Sequence, residues 1–277
     1  MNIGNVSNRT PAIKGIHTQG ILSDRQTDTD PMASKLSAMG LRIQTFEGNQ
    51  VDRLSESQLV QIAHCYREIF NESWGESWDE VSALREVKYN LRVERGRTPI
   101  ASFLYQGHKL IGFAWGVLLN KDSLAAERDM PFGLHSDEKE KGLKVSLYWL
   151  DNIAKQNKLF LLRELGVLKT HRKLMAPFLT ISAFKRAINL GYNTTLFWTN
   201  IDSGVFNWGL GVGLTPVHFF ITKNLLLMFG SISYTVSILE RAFSNDSSGT
   251  KRYSEFFGNI NRYLCKDYGK SLHRNPG

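Results

Sequence analysis

The stretch Leu162–Leu179, LRELGVLKTHRKLMAPFL, contains the pattern that decides the fold. An apolar run from Leu159 to Leu168 is followed by a short basic segment, Lys169–Lys173, and then by a second apolar run with Pro177 near its start. This order predicts a strand, a loop and a helix. Such loops usually aim backbone amides at a phosphate and are rich in glycine. Here the basic segment contains no glycine. It is a phosphate cradle made from other residues, a cradle that has lost its function, or an ordinary connection.

Positive charge is concentrated around this stretch. The whole chain has a net charge of +8, and residues 152–200 carry eight Lys and Arg residues against one carboxylate, Glu164, which is a net +7. This placement favours a local anionic ligand over a nucleic-acid surface spread across the protein. A solvated basic face is the alternative interpretation.

Composition indicates a soluble globular protein, because 42% of the 277 residues are hydrophobic and 22% are charged. Residues 1–50 are mostly polar, show no sustained apolar period, and are predicted to form a flexible N-terminal extension. The chain shows neither a signal peptide nor an apolar run long enough to span a bilayer, so a cytoplasmic location is expected. Cys65 and Cys265 lie in no metal-binding or redox motif, and two reduced thiols are favoured over a disulfide.

The remaining patterns predict one domain over residues 51–240. Ser55 is placed to cap a helix that reaches about Phe70, and a second helix is expected from about Val81 to Val93. Pro99–Leu119 has the pattern of a hairpin, and a polar, exposed insertion is expected over residues 120–144. The later elements are predicted as a strand (159–167), a helix (177–190), a strand (194–199), a short helix ending near residue 213 and closing strands (217–222 and 225–239). This alternation predicts a mixed α/β or α+β sheet covered by helices.

This order, with a basic loop between a central strand and a long helix, resembles the GCN5-related N-acetyltransferase (GNAT) superfamily over about residues 54–222. In that family the loop reads Arg or Gln, two residues, Gly, one residue, then Gly or Ala. Counted from Arg172, the two small positions fall on Met175 and Pro177, and counted from His171 they fall on Leu174 and Ala176. The resemblance implies a GNAT-like fold of class α+β (mixed α/β), with a central, mostly antiparallel sheet flanked by helices.

The resemblance also implies a cofactor site and an acceptor. Acetyl-CoA or another acyl-CoA is expected as co-substrate, and an amine-bearing small molecule or protein as acceptor. The residues that match the family's cofactor-binding positions are Val167, His171, Arg172, Lys173, Leu174, Met175, Ala176 and Asn200. Trp74 and Trp78 fall in the region that shapes the acceptor pocket in the family, although both also suit a role as core anchors.

For the reaction, the resemblance assigns Glu164 as general base and the backbone amide of Val167 as oxyanion donor. A partner role for Glu164 toward Arg163 or a nearby Lys is the alternative. The family often has a Tyr in the short helix after Asn200, but this chain has none between Asn200 and Pro216, where Asn207 and Trp208 are nearest to its place. The histidines are dispersed, so no metal site is predicted.

The leading hypothesis is therefore an acyl-CoA-dependent N-acyltransferase. A regulatory or binding module that keeps the fold and has lost acyl transfer is the main alternative. Nucleic-acid binding, which is not favoured, would use the basic C-terminal segment over residues 241–277, where Lys and Arg alternate with aromatic residues. A homodimer is also compatible with the sequence.

Overall fold

The computed structural model describes residues 31–127, 136–220 and 224–244. In chain order these residues form α1 (Pro31–Ala38), β1 (Leu41–Glu47), α2 (Glu56–Trp74), α3 (Glu80–Leu91), β2 (Thr98–Gln106), β3 (Lys109–Asn120), α4 (Lys121–Ala126), α5 (Ser136–Trp149), β4 (Lys158–Val167), α6 (Arg172–Asn189), β5 (Thr194–Asn200), α7 (Gly204–Gly211), β6 (Thr215–Phe220), β7 (Leu225–Ser231) and α8 (Ile232–Ser244). Short 3₁₀ helices cover Gly48–Arg53 and Lys169–His171, and a π-helical turn covers Leu150–Ala154.

The strands form one seven-stranded sheet with the order β1-β2-β3-β4-β5-β7-β6. Neighbouring strands run antiparallel, except that β4 and β5 are parallel because α6 carries the chain back across the sheet between them. Helices pack against this sheet. The predicted fold class, a mixed and mostly antiparallel sheet flanked by helices, is confirmed.

Local sequence signals explain two early elements. Helix α2 begins where predicted, because the Ser55 hydroxyl accepts a hydrogen bond from the Gln58 amide and the Gln58 side chain accepts one from the Ser55 amide. The hairpin β2–β3 turns through Gly107 and His108, with Gln106 paired to Lys109. Gly107 has a φ of +59°, a conformation that glycine adopts without steric cost. The predicted hairpin is confirmed.

The two faces of the sheet are covered by different helices. Phe113 and Trp115 of β3 stack on Tyr66 of α2, with ring centroids 5.9 Å apart in both pairs. Gly112 directly precedes Phe113 in β3, and a Cβ added at Gly112 would lie 3.2 Å from the Leu179 side chain of α6. Because successive strand residues point to opposite faces, α2 and α3 cover one face, called here the α2/α3 face. Helices α6 and α8 cover the other, the α6/α8 face.

Strands β4 and β5 diverge soon after they meet. Their pairing is limited to Phe160 with Thr195 and Leu161 with Leu196. On its other edge, β4 stays paired with β3 as far as Val167. The edge of β4 that faces β5 therefore has no strand partner beyond Leu161. A gap opens toward the carboxyl ends of both strands.

A β-bulge lies in β4 where this gap begins. Trp115 pairs with Glu164 and Gly116 pairs with Leu162, so Arg163 is an extra residue without a cross-strand partner. A Cβ at Gly116 would lie 2.3 Å from the carbonyl oxygen of Leu161 and 2.6 Å from the Phe160 ring. Glycine at position 116 therefore allows β3 and β4 to approach each other at the bulge.

The boundary of the predicted N-terminal extension is wrong. Within residues 1–50, Leu41–Glu47 forms strand β1 at one edge of the sheet, and Pro31–Ala38 forms α1. The polar residues of β1 made it look irregular in sequence, yet Thr45 is held by the hydroxyls of Ser102 and Ser182 at 2.8 and 2.7 Å. Residues 1–30 lie outside the described part of the chain. The predicted basic segment over residues 241–277 is described only to residue 244, where α8 ends.

Two further predictions differ from the structure. Residues 120–144, predicted as an exposed insertion, contain α4 and most of α5, and residues 128–135 lie outside the described ranges. The predicted strand over residues 225–239 is a strand only to Ser231 and then becomes helix α8. In α8, Ile232, Val236, Leu239 and Phe243 recur at helical spacing and are buried, with Phe243 packed 4.5 Å from Phe178 of α6.

Strand β6 forms the edge of the sheet opposite β1. Its pairing with β7 shifts register between Pro216 and His218, which leaves Val217 without a partner in the ladder. Proline has no N–H to donate and is found in strands at edges or bulges. Pro216 and the register shift after it both lie in the first half of β6.

We expect the Gly116→Ala substitution to lower the free energy of unfolding by about 3 kcal/mol, because the added methyl group meets backbone rather than a mobile side chain. Urea denaturation followed by circular dichroism measures this change. Gly204→Ala is the matched control, since nothing lies within 4 Å of a Cβ there. The control should change stability by less than about 1 kcal/mol. Equal effects at the two positions would contradict the steric role of Gly116.

Candidate functional site

A cleft of about 610 Å³ occupies the gap between the diverging ends of β4 and β5. Its wall combines one residue of α2, the end of β4, the first turns of α6, the turn after β5, and α7. The lining residues are Ile69, Leu165, Gly166, Val167, Arg172, Ala176, Pro177, Asn200, Asp202, Ser203, Gly204, Val205 and Trp208. Four residues predicted to bind the cofactor, Val167, Arg172, Ala176 and Asn200, are thus brought together. The volume lies within the range typical of small-molecule sites.

Helix α6 starts earlier than predicted. It begins at Arg172, directly after the 3₁₀ turn, and Pro177 is its sixth residue rather than its first. The error came from the usual preference of proline for the first helical turn. By helix geometry the amides of Met175 and Ala176 face carbonyls of the preceding turn. A phosphate at this end would therefore meet the amides of residues 172–174 rather than those of Met175 and Ala176.

The other predicted cofactor residues lie elsewhere or are not described. The Met175 side chain is buried in the core at 5% exposure, and it does not line the cleft. His171 is half-buried, outside the lining, with its Nδ1 atom 2.7 Å from the Thr170 hydroxyl. The side chains of Lys173 and Leu174 are outside what the structure describes.

The end of β4 presents backbone groups to the cleft. Leu168 N donates to Ile111 O at 2.9 Å, so Ile111 and Leu168 form a hydrogen-bonded pair. The adjacent pair, Gly112 with Val167, is then non-hydrogen-bonded. The N–H and C=O groups of Val167 consequently point away from β3, toward the gap beside β5. Consistent with this direction, the Val167 carbonyl accepts a hydrogen bond from Arg172 Nε at 3.2 Å.

The positive charge of residues 152–200 is partly balanced by carboxylates from other parts of the chain. Arg172 and Lys169 both approach Glu72 of α2, at 4.0 and 3.5 Å. Away from the cleft, Lys185 pairs with Glu240, Arg186 with Glu47, and Arg163 with Glu127. The net charge of +7 therefore overstates the positive field at the cleft. Among the described lining residues, the positively charged side chain is that of Arg172.

The turn after β5 is ordered by its own hydrogen bonds. Asn200 Oδ1 accepts from the Asp202 amide at 2.8 Å, and Asp202 accepts from Asn224 Nδ2 at 2.8 Å. The Ser203 hydroxyl lies 2.7 Å from that of Thr199 and accepts from the amide of Phe206, which caps α7. No local sequence pattern indicated that Asp202 and Ser203 lie in the cleft wall, because the β4–β5 gap is formed by long-range contacts.

Glu164 lies beside the cleft, on the α2/α3 face. It is half-buried, pairs across the ladder with Trp115, and directly precedes the lining residues Leu165 and Gly166. Burial raises the pKa of the Glu164 carboxyl to about 8, the charge of Arg163 opposes this rise, and the charges of Glu86 and Glu76 add to it. A carboxyl with such a pKa is suited to exchange a proton near neutral pH.

Arg163 is held in a buried ion cluster. Glu127 lies 3.3 Å from Arg163 and 3.5 Å from Arg97, and all three side chains are exposed by 5% or less. The Tyr89 ring faces both guanidinium groups, at 6.0 Å for Arg163 and 5.9 Å for Arg97. Glu127 is thus one partner of Arg163, and the charge of Arg163 also acts on the Glu164 carboxyl. No sequence signal pointed to Glu127, which lies in the segment predicted to be exposed.

Trp78, predicted to contact substrate, packs on the α2/α3 face outside the cleft lining. Its ring meets Tyr66 edge-on at 5.3 Å, its Nε1 donates to Glu76, and its backbone amide donates to Asn71 Oδ1 at 2.8 Å. These contacts anchor the α2–α3 loop. Trp74 is the last residue of α2, and its side chain lies outside what the structure describes.

Other site types find no support in the described ranges. They contain no group of three His, Cys, Asp or Glu side chains that could hold a metal ion. Among the same residues, no helix combines the length and apolar character that a membrane crossing requires. Cys65 is buried, and burial raises the pKa of its thiol to about 12, whereas Cys265 lies outside the described part of the chain.

Comparison with known proteins finds similar folds but no similar sequences. No protein-family profile and no curated protein matches the chain. Solved structures that match include the PaiA N-acetyltransferase of Thermoplasma acidophilum in complex with coenzyme A (TM-score 0.43, 11% identity, 69% of this chain and 99% of that chain). They also include an aminoglycoside 6'-acetyltransferase type Ii (TM-score 0.44, 16% identity, 69% and 97%) and arylalkylamine N-acetyltransferase 2 of Aedes aegypti (TM-score 0.45, 14% identity, 69% and 99%). The likeness concerns the fold alone.

We expect Glu127→Gln to lower the free energy of unfolding by about 3 kcal/mol, because it leaves two buried guanidinium groups without a carboxylate. Chemical denaturation measures the loss. Glu56→Gln is the matched control, since Glu56 pairs with Lys88 at 2.8 Å while 65% of its side chain is exposed. The control should cost less than about 1 kcal/mol. A cost at position 127 no larger than that at position 56 would show that the buried cluster does not stabilise the fold.

Stability should also depend on the protonation of Glu164. The pKa of its carboxyl is near 4.5 in the unfolded chain and about 8 in the folded protein. Between these values the folded state binds more protons, so the free energy of unfolding falls as pH rises. Urea denaturation at about pH 5 and about pH 8 measures this difference. Glu164→Gln should shrink it by about 3 kcal/mol, and Glu56→Gln should leave it in place. An unchanged difference in the Glu164 variant would contradict the raised pKa.

Proposed function

We propose that this protein is an acyl-CoA-dependent N-acyltransferase, with acetyl as the first acyl group to test. The observation that carries the proposal is the cleft at the diverging ends of β4 and β5, with backbone groups of Val167 facing it. Glu164, whose pKa is raised to about 8, stands directly before the lining residues of β4. A ligand cleft, an inward-facing amide and a carboxyl that ionises near neutral pH suit acyl transfer to an amine.

The cleft residues fit the pantetheine arm of CoA. The β4 edge beyond Leu161 has no strand partner, so an extended ligand can lie along it and exchange main-chain hydrogen bonds, as an added strand would. Arg172 is exposed at the start of α6, where a guanidinium and the helix dipole both favour a phosphate. Pro177 in the wall has no amide to offer, and the side chains around it limit how closely the ligand approaches the helix.

The chain's own residues would divide the work of the reaction as follows. When bound, acyl-CoA supplies an activated thioester carbonyl. Glu164 takes the proton that the acceptor amine must lose, directly or through water, from its position on the α2/α3 face. The Val167 amide, which points into the gap, donates a hydrogen bond to the oxygen on which negative charge develops. Arg172 and the start of α6 hold the phosphate end of the ligand.

A binding or regulatory module is the second candidate function. It is favoured by the composition of α7, GVFNWGLG, which contains no side chain able to give up a proton near neutral pH. A protein of this kind would bind CoA in the same cleft without transferring the acyl group. For the transferase the proposed acceptor is an amine-bearing small molecule or a protein, and a homodimer is proposed under either function.

Titration calorimetry with acetyl-CoA and turnover over a panel of amines separate these functions. Arg172→Ala should weaken CoA binding by about tenfold, the value of a lost charge-assisted hydrogen bond. Arg42→Ala is the matched control, because Arg42 stacks on Tyr105 at the far side of the sheet and should leave binding unchanged. Glu164→Gln should lower turnover at least about a hundredfold and change CoA affinity little.

Each outcome bears on a different part of the proposal. Absence of CoA binding by the wild-type chain would overturn the cofactor site and both functions. Binding without turnover of any amine would favour the regulatory module. If Glu164→Gln weakened CoA binding while turnover at saturating CoA stayed unchanged, the role of general base would be wrong.

A further inference from the structure

Two buried indole nitrogens, Nε1 of Trp115 and Nε1 of Trp208, have no hydrogen-bond partner among the residues that the structure describes. An indole N–H is a donor only, and a buried donor without an acceptor is costly. Trp115 is fully buried in the stack of rings on the α2/α3 face. Trp208 lines the cleft, and its residue surface is 9% exposed.

The neighbours of Trp208 in the cleft do not offer its N–H an acceptor. Asn200, Asp202 and Ser203 use their side chains to order the turn after β5. Behind the helix, the glycine that follows Trp208 packs against Met228 and Phe197, at 3.0 and 3.1 Å from a Cβ built there. The apolar side of α7 is therefore filled by the core. The nitrogen itself is covered in this structure, so a ligand in the cleft supplies the acceptor when the indole ring turns its N–H toward it.

We propose that Trp208 Nε1 donates a hydrogen bond to the pantetheine arm of CoA, the part of the ligand that carries carbonyl oxygens and the thioester. This inference rests on the proposed function and names a specific residue for it. Arg172, at the start of α6, holds the phosphate end, and Trp208 of α7 holds the arm. Because an indole N–H does not ionise near neutral pH, Trp208 positions the arm and polarises its acceptor atom without giving up a proton.

The inference assigns a positioning role in place of an acid. Helix α7 has no group that could protonate the departing sulfur, so that proton must come from water or from outside α7. A hydrogen-bond donor held in a dry wall still stabilises charge on that sulfur, because it needs no reorganisation when the charge appears. Trp208 would then affect both the affinity for the arm and the rate of transfer.

Nitrogen-15 NMR of the indole groups in the full-length chain tests the proposal directly. The resonance of Trp208 is identified by its loss in Trp208→Phe, and that of Trp115 by its loss in Trp115→Phe. CoA should move the Trp208 indole proton downfield and leave the Trp115 proton in place. Adenosine 3',5'-bisphosphate, the nucleotide part of CoA without the arm, should leave both in place.

Calorimetry provides the second measurement. Trp208→Phe keeps an aromatic ring in the core and removes the N–H donor together with part of the fused ring, so CoA should bind about threefold to tenfold more weakly. The affinity for adenosine 3',5'-bisphosphate should not change. A general loss of folding would instead weaken both ligands, and the thermal transition followed by circular dichroism detects it.

The results separate failure of this inference from failure of the proposed function. CoA binding to the wild-type chain with an unmoved Trp208 resonance would overturn the inference alone. An equal shift with adenosine 3',5'-bisphosphate would also overturn it, because the contact would then not involve the arm. If CoA did not bind the wild-type chain at all, both the proposed function and the inference would be overturned.

Discussion

The short pairing between β4 and β5 is the constraint on which the rest of the site depends. Two strands that run parallel for only two residue pairs cannot close the sheet at their carboxyl ends. Their free edges then need cover from other elements, and α6 and α7 supply it from opposite sides of the gap. The cleft is thus a consequence of the topology, and its wall is built from residues far apart in sequence. Chemistry at this place requires only that suitable side chains occupy the strand ends.

The bulge at Arg163 determines which side chains of β4 point to each face of the sheet near the cleft. One extra residue changes the parity of β4, so odd-numbered residues face the α2/α3 side before it and even-numbered residues face that side after it. Leu161 and Glu164 therefore share a face although they are three residues apart. The ion cluster with Glu127 and Arg97 keeps the Arg163 side chain inside the protein. The same region thus combines a structural charge network with a carboxyl whose pKa is raised.

Local patterns predicted much of the fold, and long-range contacts account for most of what they missed. Ser55 with Gln58, and the turn at Gly107, act through neighbouring residues and could be recognised in the sequence. The polar strand β1 is stabilised by partners such as Ser102 and Ser182, which no local pattern connects to it. Arg172 and Asn200 were predicted from the resemblance to the GNAT superfamily, and both line the cleft. Glu127 gains its buried surroundings only from tertiary packing, so its role could not be read from spacing.

The edge strand β6 has a consequence for association between copies of this chain. An exposed strand edge normally offers a regular row of donors and acceptors to which a second chain can add. In β6 that row is broken, because Pro216 lacks an N–H and the unpaired Val217 displaces the residues after it by one position. A continuous intermolecular sheet through this edge is therefore disfavoured. Within the described residues, the backbone of β6 itself thus disfavours the addition of a strand from a second copy of the chain.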